Sequence, residues 1–147
     1  MPKNIRILCE GISDLESLKE IFKKEDLRIK IIQFNSRSRL LKKVNQYIFN
    51  YYGIVDIFII LVDSHCTDPS NTYTEVNNHI EFENKDKVRI HIIKHSLETW
   101  FLVEENAIKS RFRINFRSIP NPESICKPDE TLNTIIRKGA KLVYENK

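Results

Sequence analysis

Gly11, Gly53 and Gly139 are the only glycines in this chain of 147 residues. A Walker-type phosphate loop and a dinucleotide fingerprint both need glycines clustered within a few positions, so neither can be assembled here. That disfavours a P-loop nucleotide enzyme. Cysteine is also scarce. Cys9, Cys66 and Cys126 are odd in number, far apart and contain no C-x-x-C pair. Neither a disulfide framework nor a zinc ribbon is expected from them, and a reduced, cytoplasmic compartment is the natural reading. Long apolar runs are missing too. The longest, Ile57 to Val62, is much too short to span a bilayer, and no signal-peptide pattern is present. The expectation is a protein that does not engage a membrane.

What is present describes a folded domain. Hydrophobic residues make up 41% and aromatics 10%, a globular rather than a disordered composition. The length suits one domain spanning residues 1–147. Lys and Arg number 24 against 20 Asp and Glu, for a net charge of +4. Such an excess permits polyanion binding without requiring it.

Strand and helix patterns alternate along the chain. Ile5 to Cys9, Arg28 to Phe34, Asp56 to Val62 and Val88 to Ile93 read as strands. Asp56 to Val62 is the most apolar and is expected at the sheet centre, buried on both faces. Ser13 to Glu16 fits a capping box ahead of a helix carrying Leu15, Leu18, Ile21 and Phe22. Asn35 or Ser36 caps a second helix with an apolar stripe from Leu40 to Tyr51, ended by Gly53. Asp68-Pro69 opens a third, with Tyr73, Val76 and Ile80 on one face. Leu97 to Val103 reads as a short helix, Pro120, Pro122 and Pro128 break up the stretch after it, and Glu130 to Lys138 reads as a last helix. Strands joined by helices of this length pair in parallel through right-handed crossovers, giving an α/β three-layer sandwich on a four-stranded, mainly parallel sheet.

The chemistry-bearing residues gather where strands run out. Glu10 follows the first strand and precedes Gly11; it suits proton transfer or metal ligation, against a solvated loop residue. Asp14 is a metal candidate with a competing role in its helix's first turn. Asp63 is delivered to a strand end by six apolar residues, where an ionised carboxylate must be exposed, paired or metal-bound. His65 shares its side if the chain stays extended, and can ligate a metal or carry protons. His91 and His95, four apart, fall on one face of the fourth strand. With His65 and Cys66 they make a weak zinc alternative. Glu98 follows that strand and can enter the same crevice. Lys109 to Arg117 alternates cations and aromatics: either Lys109, Arg111, Arg113 and Arg117 grip nucleic-acid phosphates, or the segment is an amphipathic edge strand. Arg37, Arg39, Lys42 and Lys43 read as the wet face of a helix.

At these residues the chain resembles the Toprim domain of topoisomerases, bacterial primases and OLD-type nucleases. Glu10-Gly11-Ile12-Ser13-Asp14 matches that pattern's Glu-Gly-x-x-Asp, and Asp63-Ser64-His65 its Asp-x-Asp with one change. A prokaryotic Toprim-like family adds a late Glu-x-Trp-hydrophobic motif, here Glu98-Thr99-Trp100-Phe101-Leu102, and a proline-bearing tail, here Asn121 to Leu132. The likeness covers a core of about residues 3–105 and an extension over 106–147. It implies a Rossmann-like sheet in which the first and third strands are neighbours. It also implies Glu10 as proton-transfer residue or ligand, Asp63 as ligand to magnesium or manganese, and Glu98 as a further acid. His65 departs from the pattern, since imidazole favours softer ions than magnesium.

Two functions follow as expectations. One is a divalent-metal-dependent nuclease or phosphodiester-transfer protein acting on nucleic acid. The other is a non-catalytic Toprim scaffold that binds nucleic acid or a partner ATPase, in defence against phage or mobile elements. A hydrolase of small phosphorylated metabolites is a third.

Overall fold

The computed structural model describes residues 3–23, 28–95, 99, 102, 106, 109–110, 113–115, 117, 119 and 121–145. The backbone groups into two compact units, residues 1–62 with 68–92, and residues 63–67 with 93–147.

Four strands form one sheet: β1 (Asn4–Cys9), β2 (Arg28–Gln33), β3 (Ile57–Asp63) and β4 (Val88–Ile93), in the order β2-β1-β3-β4. All run parallel, an α/β fold consistent with a Rossmann or Toprim-like sandwich. β1 pairs with β2 from Asn4 opposite Arg28 to Cys9 opposite Gln33, and with β3 from Ile5 opposite Ile57 to Leu8 opposite Ile60. The first and third strands are therefore neighbours. Their positions follow from their residues: Phe58, Ile60 and Val62 of the central β3 are fully buried. At the edge, β2 alternates exposed Arg28 and Lys30 with half-buried Ile29 and Ile31, and edge charges of this kind block pairing with other chains.

Helices α1 (Ile12–Ile21), α2 (Arg37–Tyr51) and α3 (Pro69–His79) follow the first three strands. α2 starts where expected: the Ser36 hydroxyl accepts the Arg39 N–H at 3.2 Å. Leu40, Leu41, Val44 and Ile48 bury its apolar stripe in the core with Leu8, Phe58, Ile60 and Val76. α1 corrects the sequence reading. Its cap is Gly11 rather than Ser13, with the Asp14 carboxylate accepting the Gly11 N–H at 3.0 Å, and only Leu18 of its expected stripe is buried. In α3 the buried row is Thr72 and Val76, while Tyr73 faces solvent. His91 is exposed.

Asp68 caps α3 as expected, its Oδ1 accepting the Ser70 N–H at 2.8 Å and hydroxyl at 2.7 Å. These bonds, the hydroxyl's first, hold its carboxyl below the ordinary value. A depressed folded pKa stabilises above the unfolded pKa and ceases to do so as pH falls through the folded one. Urea midpoints should therefore drop on acidification below the ordinary carboxylate range, less steeply in Asp68→Asn.

Arg6 sits mid-strand in β1, only 8% exposed, with no carboxylate partner among the described residues. Its Nη1 donates to the Tyr47 hydroxyl at 2.5 Å, its Cζ stacks 3.7 Å from the Tyr51 ring centroid, and its Nε makes no hydrogen bond among the described residues. Burial pushes the Tyr47 hydroxyl pKa up, and the Arg6 hydrogen bond opposes the shift. A buried cation satisfied this incompletely contributes more through its stem than its charge. Arg6→Met is expected to leave the urea midpoint level or raised, and Arg6→Ala to cost about 2 kcal/mol or more through the void it opens.

In the second unit, α4 (Pro128–Glu145) extends the expected Glu130 to Lys138 helix both ways, with Pro128 as its first residue. Ile119, Leu132, Ile135 and Ile136 pack against buried Ile114. Gly139 is required by this contact, because a Cβ there would fall 2.5 Å from an Ile114 side-chain atom. Gly139→Ala should destabilise the unit by about 1–3 kcal/mol in chemical denaturation.

Cys66 and Cys126 are joined in a disulfide, with Cα atoms 5.1 Å apart. This corrects the reading of unpaired cysteines: a separation of 60 residues in sequence says nothing about separation in space. The argument from free thiols to a reducing compartment falls with it. Among the described residues no helix is long and apolar enough to cross a membrane.

Candidate functional site

β1 carries its chain to buried Cys9 and then to Glu10, whose side chain is 13% exposed. The carboxylate does not stand in open solvent. Its Oε1 accepts the Arg37 Nε–H at 2.7 Å. The same guanidinium, through Nη1, lies 3.6 Å from Glu75 Oε2 on α3. Arg37 is the first residue of α2, so the helix start fixes the ion pair. Sequence reasoning read Arg37 as part of a solvated face and missed this. The spacing carried no signal, since 27 residues separate the partners. Asp14, by contrast, has the local role anticipated for it, closing the turn at Gly11.

In the second unit the segment after β3 is fastened by backbone and hydroxyl bonds. Asp63 is 8% exposed and Ser64 1%. The Ser64 N–H donates to Ile93 O at 2.8 Å, and the Ser64 hydroxyl accepts the His95 N–H at 2.7 Å. The His65 N–H donates to His95 O at 2.6 Å, and His95 Nδ1 donates back to His65 O at 2.5 Å. The Thr67 hydroxyl closes the turn on Ser64 O at 2.6 Å. Ser64, overlooked in the sequence, is the fastening residue.

His65 has φ 52° and His95 φ 65°, both left-handed. The backbone therefore does not stay extended past Asp63, and the argument placing His65 on the same side as Asp63 is corrected. His95 likewise lies beyond β4, so it does not share a strand face with His91. The zinc alternative fails on chemistry as well, because Cys66 is in a disulfide and offers no thiolate.

Glu98, Trp100, Phe101, Arg111, Phe112 and Phe116 lie outside the described residues. Arg113 and Arg117 are exposed and Lys109 is half-buried. The edge strand anticipated over Lys109 to Arg117 does not form among the described residues there: residues 113–115 and 117 are irregular, with Arg113 at φ 53°.

Among the described residues no group of three or more His, Cys, Asp or Glu side chains can hold a metal ion. Glu10 and Asp63 each carry carboxylate oxygens, the hard donor type that magnesium and manganese take. No protein-family model and no curated protein matches the chain.

Proposed function

We propose that this chain is a Toprim-type protein that acts on nucleic-acid phosphodiesters with a divalent cation. The observation supporting this reading is topological: β1 and β3 are adjacent, parallel strands, and each leads into a shielded carboxylate at its carboxyl end. In open α/β sheets that end is where ligands bind. Asp63 would hold the cation, Glu98 would add a further acid, and Glu10 would move the proton. A bound magnesium or manganese would supply charge neutralisation at the phosphate and a more acidic water. Arg37 orients Glu10 through the 2.7 Å bond, so the carboxylate is positioned by the start of α2 rather than by substrate. Ser64 fixes the backbone immediately after Asp63. Lys109, Arg111, Arg113 and Arg117 would contact the nucleic-acid backbone.

The test is incubation of purified protein with single- and double-stranded DNA and RNA in magnesium, manganese or EDTA. Cation-dependent cleavage is expected. The second reading, a non-catalytic scaffold for nucleic acid or an ATPase, is favoured by the Arg37 guanidinium on Glu10 and by the turn at His65. It predicts binding that survives EDTA with no cleavage in any metal. That result would displace the first reading.

A further inference from the structure

A groove of about 630 Å³ lies between α2 and α3, lined by Arg37, Ser38, Leu41, Lys42, Glu75 and His79. Both ends are clamped. At one, Arg37 reaches Glu75. At the other, Asn45 donates from Nδ2 to His79 O at 2.6 Å and accepts the Glu81 N–H at 3.0 Å. These contacts tie the two walls of the groove together.

Arg37 is already shared by Glu75 and Glu10, whereas among the described residues Lys42 makes no ion pair or hydrogen bond and the Ser38 hydroxyl has no partner. His79 ties Nδ1 to Glu75 O at 2.9 Å, leaving Nε2 for a ligand. The floor is apolar Leu41, which is 8% exposed. The volume is in the range of sites for small organic ligands and far exceeds one phosphate.

We infer that this groove binds a phosphomonoester carried on a nucleoside-sized body, with Lys42 and Arg37 on the phosphate and Leu41 and His79 against the body. The guanidinium and the ammonium supply charge-assisted bonds to phosphate oxygens. Arg37 is shared with Glu10, so an occupant of the groove acts on the residue that orients Glu10. The binding itself needs no metal and does not depend on the function proposed above.

The experiment is titration of the full chain in EDTA with adenosine 5′-monophosphate, adenosine, or a short 5′-phosphorylated oligodeoxynucleotide, read by calorimetry and amide NMR shifts. Saturable binding of the phosphorylated probes, and none of adenosine, is expected. Tighter binding of the oligonucleotide than of the mononucleotide would support the inference and assign the phosphate to a strand end. The reverse order would support it and assign a free nucleotide. Lys42→Gln, at an exposed position that leaves the fold intact, should weaken binding at least about tenfold. Arg37→Gln should do the same, and Lys3→Gln should change nothing. No binding below about 10 mM, or affinity equal in Lys42→Gln and the parent, would overturn it.

Discussion

Glu10→Gln should lower the rate of cation-dependent phosphodiester cleavage by about 100-fold or more and leave the metal concentration at half-maximal rate unchanged. Removing a proton-transfer group typically costs two to four orders of magnitude. Glutamine keeps an oxygen where Oε1 accepts the Arg37 Nε–H, so the hydrogen bond at the helix start is retained while its charge is lost. Asp63→Asn is expected to behave differently. An amide oxygen is a poorer donor to a hard cation than a carboxylate, so its loss should appear mainly as a higher metal requirement, partly recovered in excess manganese. The two roles are thus separable by one metal titration on each variant. Cleavage at parental rates in both variants, with parental metal dependence, would remove both residues from the chemistry and with them the Toprim reading.

The sheet was legible in the sequence because burial dictates its composition. Val88 to Ile93 matches β4 residue for residue, β1 and β2 differ from their expected bounds by one residue at one end, and β3 is shifted by one residue at both ends. Caps with a side-chain oxygen were legible as well: Ser36 and Asp68 stand where their helices begin. The cap at Gly11 was not, because glycine offers no side chain and the bond comes from Asp14 reaching backward. Positions of candidate acids at strand ends followed from the apolar runs that deliver them. Their partners did not follow. The pairing of Glu10 with Arg37, of Ser64 with His95 and of Cys66 with Cys126 are contacts between distant parts of the chain, which no local pattern encodes. The left-handed turns at His65 and His95 were hidden for a related reason. Such conformations are uncommon outside glycine, and the exchange of bonds between the two backbones holds them there.

Reduction of the Cys66–Cys126 disulfide should loosen the second unit far more than the first. Cross-linking residues 60 apart removes chain entropy from the unfolded state worth about 4 kcal/mol in the loop-closure model. The first unit has a large apolar core, with Leu8, Leu40, Val44, Ile48, Phe58, Ile60 and Val76 all buried. In the second unit Ile114 is buried against partly buried Ile119, Leu132, Ile135 and Ile136. The bond also joins the segment that begins at Asp63 to the residues just before α4. With a dithiol reductant, or in Cys66→Ser, α4 amides should exchange up to about a thousandfold faster, the rate equivalent of that free energy. Amides of β1 and β3 should keep their protection. Metal-dependent cleavage, where present, should then need more cation, because the backbone carrying Asp63 loses one of its fastenings while Ser64 keeps the other. Three titratable thiols in the unreduced, denatured protein, or α4 exchange indifferent to Cys66→Ser, would show that the packing around Ile114 suffices without the bond.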